Sequence, residues 1–255
     1  MSARLNYKIS GKGLPFVFQH GLTANLEQAQ GLLSPIQGVK LISIDCPGHG
    51  ASPLPADTKP SFDYYVDLLI DWMDEWKVEK AVWGGISMGS GIALNAGIRY
   101  PERVSGMVLI RPAWLDRGNP KSLQILQVAA EAIVAKGKRY FIERSDFQEI
   151  NKILPQAAAS ILGVFEPQQR PELSRVIECM VKDAPFDHLR SLENIKSPGL
   201  IIGSDDDPLH PYFMAEKIHQ HLPGSQLVKV ISRYIDDTQH RLEVKNLVSN
   251  FIKNS

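Results

Sequence analysis

Cysteine is nearly missing from this chain: 255 residues hold two, Cys46 and Cys179. A disulfide framework would show more, and the two are too far apart for paired metal-ligand spacing. A reducing cytoplasm is the expected address, with a secreted protein shorn of its leader as the alternative. An excess of one charge is missing too. Lys plus Arg and Asp plus Glu each number 28, the formal net charge is zero, and no block of like charges occurs. Gripping nucleic acid or an anionic membrane takes a basic excess or patch, so neither partner is expected. No apolar run approaches the length that spans a bilayer, and the opening residues from Met1 to Lys8 lack the apolar stretch of a signal peptide. Clusters of His, Cys or carboxylates at ligand spacing are absent, so no metal is expected. The stretch from Gly84 to Gly91 does not form the Gly-x-Gly-x-x-Gly of a dinucleotide loop. No cofactor is expected.

What is present is a rhythm. With 44% hydrophobic residues, the chain is long enough for one sizeable core. Short β-branched runs, Leu5 to Ile9, Pro15 to Gln19 and Val39 to Ile44, read as strands. From Ser61 to Trp76, apolar Tyr65, Leu68, Leu69, Trp72 and Trp76 fall at helical spacing. Lys80 to Gly84 and Val104 to Ile110 read as buried strands flanking a helix over Ser90 to Tyr100. Strand and helix in alternation predict an α/β fold, a mostly parallel sheet with helices on both faces. The rhythm stops after Trp114. Roughly 75 residues follow with helical patterning only, including Lys121 to Ala135 and Pro171 to Asp183. Alternation resumes at Gly199 to Gly203, with a helix over Tyr212 to Leu222, a strand over Gln226 to Ile231 and a last helix to about Lys253. The expected organisation is a core of residues 1–113 and 189–255, with 114–188 inserted as a helical cap.

The sharpest local signal is Gly85-Ile86-Ser87-Met88-Gly89, which follows a buried strand and opens a helix. A nucleophile on a sharp strand-to-helix turn needs small neighbours, because a flanking side chain would strike adjoining backbone. The turn lifts the Ser87 hydroxyl above the sheet and aims the Met88 N–H at a developing oxyanion. An ordinary glycine-rich turn is the alternative, which the flanking strand and helix argue against. His20-Gly21-Leu22 follows the strand Phe16-Val17-Phe18, and Asp45-Cys46-Pro47-Gly48-His49-Gly50-Ala51-Ser52 follows the next.

With these three motifs in order, the chain resembles the α/β-hydrolase superfamily over nearly its whole length. The resemblance implies a second oxyanion donor in the Leu22 N–H and structural roles for His20 and His49. It places the catalytic acid in the turn after the strand that follows the cap, here Gly203-Ser204-Asp205-Asp206-Asp207-Pro208. Counting three residues from Gly203 selects Asp206. Asp207 is the second choice, Asp205 is expected in solvent, and all three alternatively cap the helix near Pro211. Relatives usually carry Gly-His a few residues after the last strand, and this chain has none there. The displaced candidate is His240, expected in the first turn of the last helix after a cap at Asp237 or Thr238. It shares a face with Val244, Leu247, Val248 and Phe251.

Arg111 closes the strand Met107 to Ile110 at the ligand-binding edge. It is read as a clamp for a substrate carboxylate or phosphate, or as a buried ion pair with Asp183, Asp187 or one of Asp205 to Asp207. Trp114, Leu123, Leu126, Phe165 and Met180 are expected to line an apolar pocket or to form cap core. The expectation is a Ser87-His240-Asp206 hydrolase that cleaves a small ester, thioester or lactone through an acyl-enzyme. Its partner is a small-molecule substrate; monomer and homodimer stay open. Carbon–carbon bond hydrolysis and a receptor of this fold with little turnover are the alternatives. Dehalogenation is disfavoured, because relatives with that chemistry carry Asp where Ser87 stands.

Overall fold

The computed structural model describes residues 5–166 and 171–254. Met1 to Arg4, the start of the segment read above for a leader, lie outside these. Seven strands form one sheet: β1 (Tyr7–Gly11), β2 (Leu14–Gln19), β3 (Val39–Ile44), β4 (Ala81–Ile86), β5 (Val104–Ile110), β6 (Gly199–Gly203) and β7 (Ser225–Lys229). Their order is β1-β3-β2-β4-β5-β6-β7. Only β1 runs antiparallel, against β3; the other pairs are parallel. Side chains alternate across the pleat, which splits the core in two. Phe16, Phe18, Val82, Val108, Ile110 and Ile202 face one side. They meet α1 (Leu26–Leu33) through Ala29, Leu32 and Leu33, and α10 (Asp237–Lys253) through Val244, Val248 and Ile252. Val17, Ile42, Trp83, Leu109 and Ile201 face the other. There they pack beneath α2 (Phe62–Glu75), α3 (Met88–Arg99) and α9 (Tyr212–His221). The sheet is thus covered on both faces, as the alternation predicts.

Between β5 and β6 the described residues are helical or irregular. This block contains α4 (Gln124–Glu131), α5 (Gly137–Ile142), α6 (Ser145–Ile153), α7 (Pro155–Leu162) and α8 (Leu173–Lys182). The helix expected over Lys121 to Ala135 starts as a 3-10 turn and widens into π-type pitch over Ala132–Lys136 before Gly137, at φ 76, ends it. Gly137 breaks the run because that backbone region is open to glycine and closed to most residues.

Sequence patterning did not pick out α1. Asn25 caps it by accepting from the Glu27 N–H, and Asp45 takes the Leu26 N–H at 2.7 Å. The cap of α10 is Asp236, which accepts from Gln239 N–H at 2.9 Å, rather than Asp237 or Thr238. Asp237 has already entered helical geometry, so only the extended residue before it can cap. Among the described residues no helix is long and apolar enough to cross a membrane.

Candidate active site

The chain turns one way from β2 to β3 and the other way to β4, so a crevice opens between the carboxyl ends of β2 and β4. Leu22 follows β2 there and Ser87 follows β4. Ser87 sits at φ 56 and ψ −109, a left-handed conformation costly for a side-chain-bearing residue. The elbow is held from three sides. The Ser87 N–H donates to Ile110 O at 3.0 Å, and Ser90 Oγ donates to Gly85 O at 2.8 Å and Ile110 O at 3.1 Å. A Cβ on Gly85 would lie 2.3 Å from the Gly89 carbonyl carbon, and one on Gly89 would lie 2.3 Å from Gln19 O. Both glycines are therefore required by contact, as the motif implied. The N–H groups of Leu22 and Met88 make no hydrogen bond to a described residue. For Met88 this follows from its place in the first turn of α3, where N–H groups have no intrahelical acceptor.

The Leu22 loop is braced from beneath. His49 Nε2 donates to Leu22 O, and the Cys46 N–H donates to His20 Nε2 at 3.1 Å. Asp45 gathers the N–H groups of Leu26 and Ala51 and the Asn6 amide at 2.7 to 2.8 Å. Burial pushes the His20 pKa down to about 4 and the His49 pKa down to about 3, so both rings stay neutral.

Ser87 lines a cavity of about 60 Å³. Leu123, Leu126 and Ser160 of the helical block close it from above, and His210, Arg111, Arg233 and Tyr234 stand on the remaining sides. Three adjacent Asp residues divide sharply in the turn after β6. Asp205 is exposed and pairs with Lys229 at 3.0 Å. Asp206 is exposed as well, at φ 52. Asp207 is buried, and its carboxylate is fully enclosed. It accepts from His210 Nδ1 at 2.8 Å through Oδ1 and from Arg111 Nη1 at 3.1 Å through Oδ2. The left-handed turn at Asp206 sends that side chain outward and the next one inward, which counting from Gly203 does not foresee. Burial opposes the charge on Asp207, yet His210 and Arg111 outweigh it and hold the carboxyl well below the usual carboxylate range. Burial lowers the pKa of His210 against the pull of Asp207, and Arg111 and Arg233 add to the depression. A neutral ring whose Nδ1–H is donated to Asp207 leaves Nε2 as a bare acceptor.

His240 is buried too, in α10, but it does not line the Ser87 cavity. Its Nδ1 donates to Ile231 O at 2.7 Å, and it borders a second cavity of about 130 Å³ beyond Ile86, Arg111 and Arg233. The loop after β7 instead sends Arg233 and Tyr234 to Ser87. Trp114 lies outside the cavity as well. Its Nε1–H is tied to Met180 O at 3.1 Å and its ring packs edge-on against Phe62. Arg111 takes the buried ion pair, with Asp207; Asp183 accepts the Phe62 N–H instead. The structure thus gathers Ser87, Leu22 and Arg111 with Asp207, and leaves Asp206, His240 and Trp114 outside. Lining residues that sequence reasoning did not assign to the site include His210, Arg233, Tyr234 and Ser160. For His210 a signal existed: an Asp three residues before a His, in a turn where the Asp also accepts the His N–H at 3.2 Å.

A family model for the alpha/beta hydrolase fold matches residues 15–234. The chain belongs to the α/β-hydrolase family. Its membership accords with the seven-stranded, mostly parallel sheet and the helices on both of its faces. Among curated relatives, the 2-hydroxymuconate semialdehyde hydrolase of Pseudomonas sp. (strain CF600) is 35% identical over 114 residues, covering 43% of this chain and 40% of that protein. The chain matches about 40% of the length of that relative and of a phage non-heme haloperoxidase. The 3-oxoadipate enol-lactonase 1 of Acinetobacter baylyi is 23% identical over 84% of this α/β-hydrolase and 79% of its own length. Among solved structures, the enol-lactonase of Burkholderia xenovorans superposes with a TM-score of 0.74 at 20% identity, covering 98% of this chain and 96% of that one. A thermophilic esterase from Thermogutta terrifontis gives 0.78 at 18% identity, over 98% and 93%.

Proposed function

We propose that this α/β-hydrolase cleaves a small carboxylic ester, thioester or lactone through an acyl-enzyme on Ser87, with His210 as the base and Asp207 as its orienting acid. The observation that carries this is one cavity containing an elbow serine and a buried imidazole whose far nitrogen is held by a buried carboxylate. In the first step Ser87 Oγ attacks the carbonyl carbon while His210 Nε2 takes the hydroxyl proton. The oxyanion is met by the N–H groups of Leu22 and Met88. Collapse breaks the bond to the leaving oxygen or sulfur, which departs with the proton from His210. Water then attacks the acyl-enzyme, gives a proton to His210, and the acid is released as Ser87 recovers that proton. The names of two curated relatives, a 2-hydroxymuconate semialdehyde hydrolase and a 3-oxoadipate enol-lactonase, accord with this chemistry.

A second reading is favoured by a specific observation. Ser87 Oγ makes no hydrogen bond to an imidazole among the described residues. A binding protein of this fold with little turnover would look the same. One experiment separates them: hydrolysis of a short-chain nitrophenyl ester, with fluorophosphonate labelling, in wild type and Ser87→Ala. Multiple turnovers and labelling that both vanish in Ser87→Ala sustain the enzyme. Binding of small esters without turnover or labelling sinks it.

A further inference from the structure

Arg111 is an expensive residue to bury, and Asp207 satisfies only part of it. The side chain is 5% exposed. Nη1 reaches Asp207, but Nε is buried and meets no acceptor. A buried guanidinium with an unused N–H costs free energy unless something else completes it. Arg111 is not alone. Arg233, half-buried, stands in the same wall, and burial together with the charge of Arg111 depresses its pKa. Its nearest carboxylate, Asp237, lies 3.7 Å away and is held more closely, at 2.6 Å, by Arg241. Glu27, on the far rim, is taken by Lys8 at 3.0 Å. The two guanidinium groups therefore have one dedicated carboxylate between them, Asp207. Two like charges crowded together with one counter-ion leave a positive field aimed at the adjoining space. That space is the Ser87 cavity of about 60 Å³ on one side and the second cavity of about 130 Å³ on the other.

Resting on the reading of Ser87 as a nucleophile, we infer that the substrate is an anion: a small ester or lactone whose acyl part carries a carboxylate, held by Arg111 and Arg233. The carboxylate completes Arg111 through Nε and pairs with Arg233, while the scissile carbonyl reaches Ser87. Because the Ser87 cavity holds only a few heavy atoms, the carboxylate and the carbonyl are separated by a short chain, as in a half-ester of a short dicarboxylic acid. A planar fork suits a carboxylate better than a lysine point charge would.

The test compares monomethyl succinate and monomethyl glutarate with the uncharged methyl butyrate, on wild type, Arg233→Gln and Arg233→Lys. The expected result is a kcat/KM at least tenfold higher for the half-esters, a preference that falls with added salt. It should shrink towards unity in Arg233→Gln and return in part in Arg233→Lys. Binding of succinate to Ser87→Ala, followed by calorimetry, supplies a readout free of turnover and should weaken at least tenfold when Arg233→Gln is added. Equal kcat/KM for charged and neutral esters, with Ser87-dependent turnover of both, overturns the anion site and leaves the hydrolase standing. Arg233-dependent binding of succinate without turnover of any ester does the reverse.

Discussion

Removing the imidazole of His210 tests the assignment of the base directly. General-base catalysis by a positioned side chain contributes about 10²- to 10⁴-fold, equivalent to roughly 2.7 to 5.4 kcal/mol of barrier at 1.36 kcal/mol per decade. His210→Ala should therefore lower kcat for a short nitrophenyl ester by at least ~10²-fold, with KM little changed because the ring acts in the reaction step. Added imidazole should restore part of the loss. His240→Ala makes the contrast. That ring donates to Ile231 O, so its removal orphans a carbonyl and should lower stability by ~1–3 kcal/mol, while kcat for the same neutral ester falls less than tenfold.

The pH profile adds a sign. The base must be neutral to accept a proton, and burial holds the His210 pKa below the ordinary value. The acid limb of kcat/KM should then fall at lower pH than the ~6.5 of an unperturbed histidine. His240 is depressed in the same direction, so the profile alone does not choose between them; the substitutions do. A His210→Ala protein that keeps more than a tenth of wild-type kcat, beside a His240→Ala protein that loses it, refutes the reasoning.

Further outcomes follow from the same geometry. Asp207→Asn should cut kcat by at least ~10²-fold by misorienting the imidazole, whereas Asp206→Asn, at an exposed position, should stay within threefold; steady-state kinetics decide. Gly89→Ala should abolish soluble folded protein or cost several kcal/mol in urea unfolding, because its Cβ would press 2.3 Å from Gln19 O. Stability should fall between pH 7 and pH 5. His20 and His49, fully buried with pKa values near 4 and 3, take up protons only when unfolded in that window, costing about 2 kcal/mol each. Urea midpoints that match at the two pH values would contradict this.

The fold was readable because its signals are local or periodic. Val39–Ile44, Val104–Ile110 and Gly199–Gly203 are strands at the expected limits, since parallel strands buried on both faces read as continuous apolar runs. The elbow was readable for a steric reason that any sequence displays: two glycines flank a residue that must take a left-handed turn. Helix α1 escaped because it is short and is started by Asn25 and Asp45, the second of these nearly twenty residues away. Which of the three adjacent Asp side chains is buried was not readable, since a single residue at positive φ decides which one turns inward. No periodicity encodes that.

His210, the base proposed above, was not foreseen for a deeper reason. Looking for a base after the last strand assumes that acid and base come from separate loops, whereas in the proposed reading one turn supplies both. Asp207 accepts the N–H and the ring of His210 together, which fixes backbone and side chain with one carboxylate. Such an arrangement would free the loop after β7 from carrying an imidazole. What stands there instead is Arg233 beside Tyr234, facing a buried arginine that Asp207 alone does not satisfy. In the proposed reading the same carboxylate orients the base and anchors the cationic wall. Catalysis and charge selection would then share a residue, so Asp207→Asn should disturb both, while Arg233 variants should alter selection with the Asp207–His210 contact intact.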